Sequence, residues 1–156
     1  MGYLEGGRST EPDIKLNTRM ELPLWLAEVL GTCINDSFPD GLIRLSTPAC
    51  LSSSVMNALR SDSLSVDLRK QSMHFYKLAQ RWYSISSDSD LVIEVVTDAL
   101  RQRAAAINDF AHNSRNPTNG TDVNEFLEKL DDTELGLFRA SHESSKEFKK
   151  WVSIKK

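Results

Sequence analysis

The sequence contains few of the residues from which metal centres and nucleophilic sites are built. There are two cysteines and three histidines among 156 residues, and no histidine has a second histidine or cysteine three or four positions away. Cys33 and Cys50 do not fit a zinc-binding spacing, so we expect two reduced thiols. The sequence predicts no catalytic residue, no metal ligand and no cofactor, and the chain is not expected to be an enzyme.

Long apolar segments are also missing. The longest purely apolar runs have four residues, as at positions 24–27, whereas a membrane-spanning helix needs about 20. The first residues are polar and glycine-rich and lack the apolar core of a secretory signal. The net charge of -3 gives no general attraction to nucleic acid or to an anionic membrane. These absences predict an intracellular protein without membrane association.

Neighbouring acidic residues are present, but their positions favour a structural role. They lie in expected loops or at expected helix starts: Asp36/Asp40, Asp88/Asp90, Asp131/Asp132 and Glu134. Carboxylates at helix N-termini interact favourably with the helix dipole and accept backbone N–H groups. We therefore interpret them as helix caps. The serines lack a nucleophile-elbow motif, and the sequence contains no glycine-rich phosphate loop.

Apolar residues at helical spacing dominate the chain after residue 20. Amphipathic segments open near Glu21, Thr47, Asp67, Asp90 and Asp122, and a last segment runs to the C-terminus. This pattern predicts a mainly α fold, a helical bundle of about five helices. Residues 1–20 alternate only weakly and contain glycine and proline, which indicates a short extended or β remnant. The predicted organisation is therefore a remnant over 1–20 and a helical domain over 21–156.

Residues 67–85 have the broadest apolar surface, and we predict one continuous helix at the centre of the bundle. Its inner arc consists of Leu68, Phe75, Leu78, Ala79 and Trp82. Tyr76 and Tyr83 lie at the edge of this arc. A tyrosine is favoured where its ring is buried and its hydroxyl stays near water. We therefore expect both tyrosines at the rim of a partner interface.

The opposite face of the same segment is basic. Lys70, His74, Lys77 and Arg81 are spaced i, i+4, i+7 and i+11, which places them on one ridge of a helix. We call these four residues the basic ridge. Three interpretations remain open: a solvated face, contact with an acidic partner surface, or contact with nucleic-acid phosphates. Contact with nucleic-acid phosphates would rest on only these four side chains, in a chain whose net charge is negative.

Large apolar residues are numerous for a chain of this length. The three tryptophans and six phenylalanines are interpreted as core or interface anchors. They are expected to leave apolar patches exposed when the chain is alone, and such patches mark partner surfaces. Trp25 and Leu26 lie two and three residues after Pro23 and are expected to be buried at the start of the helical domain. The surplus of apolar groups indicates an interaction protein.

Three strings of residues occur in this order: Leu22-Pro23-Leu24-Trp25-Leu26-Ala27; Ser65-Val66-Asp67-Leu68 with His74-Phe75-Tyr76; and Leu130-Asp131, Glu134, Leu137-Phe138, Phe148 and Trp151. Together they resemble the third Psf-type subunit of the GINS complex. The similarity spans residues 2–152. It implies family-specific structural roles for Leu22, Pro23, Leu24, Trp25, Leu26, Asp67, Leu68, Phe75, Trp82, Leu137, Phe138 and Trp151.

The resemblance also implies a function. GINS subunits combine a helical domain with a small β-rich domain, which comes first in this subunit type. Four different subunits form a heterotetramer, which joins the MCM ring and Cdc-forty-five in the nuclear replicative helicase as a non-catalytic scaffold. The implied partners are three other GINS subunits, and direct DNA contact stays open. The family usually has several strands before the first string, so we expect a truncated small domain here.

A second interpretation is a generic all-α adaptor of another intracellular assembly, in which the three strings would match by chance. A small helical enzyme is a third, although no group of residues supports it. Co-purification with three other GINS subunits would distinguish the first two interpretations.

Overall fold

The structure, a computed structural model, describes residues 14–15, 17–33, 42–86, 90–113 and 120–154. The chain divides into two compact units, Met1–Leu45 and Ser46–Lys156. Across the described ranges there are seven α-helices and one 3-10 helix and no strand, so the predicted mainly α fold is confirmed. The predicted extended remnant lies mostly outside the described residues. The predicted boundary after residue 20 stays a prediction.

The described part of the first unit contains one helix, α1, over Leu24–Thr32. The carbonyl of Pro23 accepts the N–H groups of Leu26 and Ala27, each at 3.0 Å, so the proline lies just before the first turn. The expected burial of Trp25 is wrong, because its side chain is 66% exposed. Helix α1 buries none of its residues, so this helix does not enclose a large ring.

The second unit contains the bundle. Its elements are a 3-10 helix (Ala49–Leu51), α2 (Ser53–Ser61), α3 (Leu68–Gln71), α4 (Phe75–Ile85), α5 (Asp90–Asn113), α6 (Gly120–Glu128) and α7 (Asp132–Ile154). Helix α5 packs against α2, α4 and α7. With 24 residues it is about 36 Å long, enough to present separate surfaces to three neighbours. The centre of the bundle is therefore α5, and the prediction that residues 67–85 form it is wrong.

Residues 67–85 are also not one helix, because the chain leaves helical geometry at Ser72. The side chain of Asp67 accepts the N–H of Lys70 at 2.9 Å and starts α3. Ser72 is extended (φ -163°, ψ 137°), and its Oγ accepts the N–H of His74 at 3.3 Å. The carbonyl of Met73 accepts the N–H of Asp132 at 3.0 Å. Contacts to a serine side chain and to the start of α7 thus replace the helical hydrogen bonds.

The predicted inner arc does form core. Leu68, Phe75, Ala79 and Trp82 are buried, and Leu78 is half-buried. The core continues along α5 and α6 and up to α7 with Val95, Val96, Ala99, Ile107, Ala111, Val123, Phe126 and Leu130. Among the described residues, no helix combines the length and apolar character that a membrane crossing requires.

Candidate interaction surface

The basic ridge extends over two helices rather than one. Lys70 lies in α3, His74 precedes the first residue of α4, and Lys77 and Arg81 lie in α4; all four are exposed. The Oδ2 atom of Asp132, at the start of α7, lies 3.6 Å from Nδ1 of His74 and 3.5 Å from Nζ of Lys77. These contacts are half-exposed and therefore weak. The carboxylate of Asp132 beside the ridge lowers the net positive charge of this surface, which disfavours binding to nucleic-acid phosphates.

The two tyrosines of α4 have different environments. Tyr76 is only 8% exposed, its ring packs edge-on against Phe75, and its hydroxyl donates to Oε1 of Glu134 at 2.8 Å. Tyr83, two turns further along, is 46% exposed. The expectation that both lie at an exposed rim is therefore wrong for Tyr76, because a buried carboxylate takes the place of water at its hydroxyl. Tyr83 remains a candidate contact residue.

Beneath this surface lies a group of polar residues that we call the buried charge cluster: Tyr76, Arg103, Asp131 and Glu134. Arg103 and Glu134 are both 0% exposed. Nε of Arg103 donates to Oε1 of Glu134 at 2.6 Å, and Nη2 donates to Oε2 at 2.9 Å. This two-pronged geometry is the strong form of an arginine–carboxylate pair. Arg103 lies four positions after Ala99 and four before Ile107, so it shares the buried face of α5 although it is charged.

Asp131 positions the carboxylate of Glu134 by capping α7. Its Oδ1 accepts the N–H of Glu134 at 2.8 Å, and its own N–H points to Oε2 of Glu134 at 3.4 Å. This reciprocal pattern is a capping box, which confirms the predicted capping role of Asp131. Burial raises the pKa of the Asp131 carboxyl. Burial, followed by the nearby charge of Glu134, raises the pKa of Tyr76.

The remaining donors of Arg103 reach the backbone between α2 and α3. Nη1 donates to the carbonyl of Ser63 at 2.6 Å and to that of Val66 at 3.0 Å, and the guanidinium lies 5.6 Å from the ring centroid of Phe126. In the described part of the chain, every buried side-chain nitrogen and oxygen has a partner. The same residues contain no acidic, histidine or cysteine cluster that could hold a metal. The polar atoms of the buried charge cluster bond to one another and to nearby backbone groups, which is typical of a structural network.

The end of α7 exposes a group of apolar side chains that we call the α7 apolar end: Phe148, Trp151, Val152 and Ile154. Phe148, Trp151 and Val152 are spaced i, i+3 and i+4, so they share one face of the helix. Phe148 is 63% exposed and Trp151 54%. The expectation of exposed apolar patches is confirmed here. Two apolar residues of the third sequence string lie earlier in this helix: Leu137 is exposed and Phe138 is half-buried.

Comparisons with known proteins agree with this architecture. The family model of the GINS complex protein helical bundle domain matches residues 50–153, and that of the PSF3 N-terminal domain matches residues 1–32. A protein of Phaeosphaeria nodorum is 40% identical over 98% of this chain and 82% of its own length. A protein of Debaryomyces hansenii is 37% identical over 97% and 83%, and one of Saccharomyces cerevisiae is 34% identical over 97% and 85%.

Each of these relatives is named as a DNA replication complex GINS protein PSF3. The bundle model covers most of the second unit, and the similarity to the relatives extends over nearly the whole chain. The chain therefore belongs to the GINS complex protein family, of the PSF3 type, which is a non-catalytic family.

Proposed function

We propose that this chain is a structural subunit of a GINS complex and acts in DNA replication in the nucleus. Family membership supports the role, since the relatives are named for a DNA replication complex. The observation that carries the proposal is the α7 apolar end, where aromatic and aliphatic side chains are exposed although the described part of the bundle has a buried apolar core. Exposed apolar groups of this kind mark partner surfaces.

The proposed partners are three other GINS subunits in a heterotetramer. Through that complex the chain would join the MCM ring and Cdc-forty-five in the replicative helicase, during both initiation and elongation. These partners follow from the resemblance of the sequence strings. Direct DNA contact is not part of the proposal, because Asp132 lies against two members of the basic ridge.

Two surfaces are proposed as partner contacts. The first is the α7 apolar end, whose large rings are suited to be interface anchors. The second is the exposed face of α3 and α4, with the basic ridge and Tyr83. The ridge would meet an acidic surface, and such charge pairs affect the association rate and specificity more than affinity.

Co-expression with the three presumed partner subunits tests the proposal. We expect a soluble heterotetramer by size-exclusion chromatography with light scattering, and self-association of the chain when it is expressed alone. Replacing Phe148 and Trp151 by serine should abolish co-elution, because anchor residues dominate interface energies. A matched control is Leu91→Ser, which replaces an equally exposed apolar residue on α5. A stable monomer that fails to join the other three subunits would contradict the proposal.

A further inference from the structure

The segment between α2 and α3, residues 62–67, which we call the connector, is held mainly by polar contacts. Asp62 closes a local turn by accepting the N–H groups of Leu64 and Ser65, and Oγ of Ser63 donates to Gln102 at 3.0 Å. Apart from Ser63, its residues are exposed or half-buried. Little apolar area therefore holds the connector in place.

Helix α3, which follows the connector, is held by backbone hydrogen bonds and by one buried apolar side chain. The N–H groups of Leu68 and Arg69 both donate to the carbonyl of Lys129, at 3.0 and 3.2 Å. Its four residues include only one that is buried, Leu68. An isolated turn of helix has no stability of its own. The position of α3, and of Lys70 within it, therefore depends on its attachments.

Arg103 supplies attachments that no apolar side chain can supply. Its Nη1 donates to two connector carbonyls while its other donors hold Glu134. Buried ion pairs are costly to desolvate, and well-packed apolar residues at such places often give equal or greater stability. Stability alone does not account for a charged group at this place. Its geometry accounts for it, because one guanidinium connects α5, α7 and the connector.

We propose that the buried charge cluster is a positioning device: Arg103, held by Glu134, fixes the connector and α3 relative to α7, so that the basic ridge has one arrangement. The fixed connector is a property of this chain by itself. The use of that arrangement by a partner rests on the proposed function.

A variant in which three of the four cluster residues become apolar tests the positioning role: Tyr76→Phe, Arg103→Met and Glu134→Leu together. Asp131 is kept, because its side chain accepts backbone N–H groups at the start of α4 and α7. We expect unchanged helical circular dichroism and a Tm within about 4 °C of the parent. Hydrogen exchange of residues 63–71 should become at least about tenfold faster, because the two carbonyls lose their donor and the segment opens locally. Exchange in α5 should stay at the parent rate.

Two further variants separate positioning from general stability. Leu130→Ala truncates a fully buried core residue, so it should lower Tm and accelerate exchange throughout the bundle. Arg103→Lys keeps the charge but not the planar set of donors, so residues 63–71 should exchange faster than in the parent and slower than in the triple variant. If the triple variant exchanges faster uniformly, or if residues 63–71 keep the parent rate, the positioning role is wrong.

Co-elution of the triple variant with the three presumed partners tests the part that rests on the proposed function. Weaker assembly together with a loosened connector supports the fixed ridge as a contact surface. Parent-like assembly together with a loosened connector overturns the ridge as a contact surface and leaves the positioning role supported. If the parent chain itself does not assemble, the proposed function fails, while the exchange result still decides the positioning role.

Discussion

The buried charge cluster and the basic ridge contain the same kinds of group in opposite environments. In the cluster, Arg103 and Glu134 are fully buried and make two hydrogen bonds of 2.6 and 2.9 Å. On the ridge, His74 and Lys77 lie 3.6 and 3.5 Å from a half-exposed Asp132. Water screens the second set and competes for it, whereas each charge of the first set has only protein partners. The comparison shows that burial, rather than the number of ion pairs, decides which charges the fold depends on.

The largest expected effect comes from removing one charge of the cluster. Arg103→Ala leaves the Glu134 carboxylate buried without its partner and should destabilise the chain by about 3–5 kcal/mol. Urea denaturation followed by circular dichroism measures this loss. The control is Arg101→Ala, which breaks an exposed pair with Asp98 on the same helix and should cost less than about 1 kcal/mol. Similar losses for both variants would remove the distinction between buried and exposed charges.

The second prediction applies the same comparison to aromatic residues. Phe75→Ala should cost about 3 kcal/mol or more, because the ring is fully buried and a cavity remains. Trp25→Ala should cost less than about 1 kcal/mol, because the larger ring is mostly exposed. Thermal and urea unfolding of the two variants measure both values. A loss at Trp25 as large as that at Phe75 would mean that α1 is packed far more tightly than its exposure indicates.

Helix periodicity identified much of this fold in advance. The long amphipathic run from Asp90 predicted α5, and the acidic residues near 131 predicted the start of α7. Both helices have local signals, an apolar stripe and a cap, that a sequence shows directly. The inner arc around Phe75 was also predicted, since Phe75, Ala79 and Trp82 all lie within α4 and share one of its faces.

The errors at Arg103, Ser72 and Tyr76 involve partners that are distant in sequence, whereas the error at Trp25 arose because α1 buries none of its residues. Arg103 and Glu134 are 31 positions apart. The spacing of four residues from Ala99 places Arg103, unlike the exposed Arg101, on the apolar stripe of α5, but the local pattern does not show which acid it meets. The break at Ser72 depends on the carbonyl of Met73 bonding to the N–H of Asp132. Tyr76 looked like a rim residue because its acceptor lies on another helix. A tyrosine at the edge of an apolar stripe can face solvent or a buried acid, and only the tertiary fold decides which.

The third prediction concerns pH. Burial raises the pKa of Asp131 in the folded chain, so between its ordinary value and the raised one the folded state binds more protons than the unfolded state. The contribution of this group to stability therefore increases as pH falls through that interval and is lost as pH rises through it. Asp131→Asn cannot titrate but keeps an oxygen for the cap.

Urea unfolding of the parent and the Asp131→Asn variant at pH 7 and near pH 4 checks this sign. The free energy of unfolding of the parent minus that of the variant should be more positive near pH 4 than at pH 7. Exposed carboxylates with a lowered pKa, Asp62 and Glu125, act in the opposite direction but are common to both proteins and cancel in the difference. A difference that becomes more negative on acidification would show that the hydrogen bonds to Asp131 outweigh its burial.

The smallest effect on stability is expected at Asp132, the half-exposed acid beside the basic ridge. Asp132→Asn removes the charge that lies against His74 and Lys77, and it should change the free energy of unfolding by less than about 1 kcal/mol. The variant raises the net positive charge of the basic ridge and leaves the buried charge cluster unchanged.

If the ridge meets an acidic partner surface, the Asp132→Asn variant should therefore associate faster than the parent at low salt, and the gain should disappear at high salt. Stopped-flow or surface-plasmon measurements at two salt concentrations test this, with Asp98→Asn on the exposed face of α5 as the control for a charge change elsewhere. Equal rates for the parent and both variants would assign the ridge to solvent, whereas a loss of stability above about 1 kcal/mol would show that a half-exposed pair can act like a buried one.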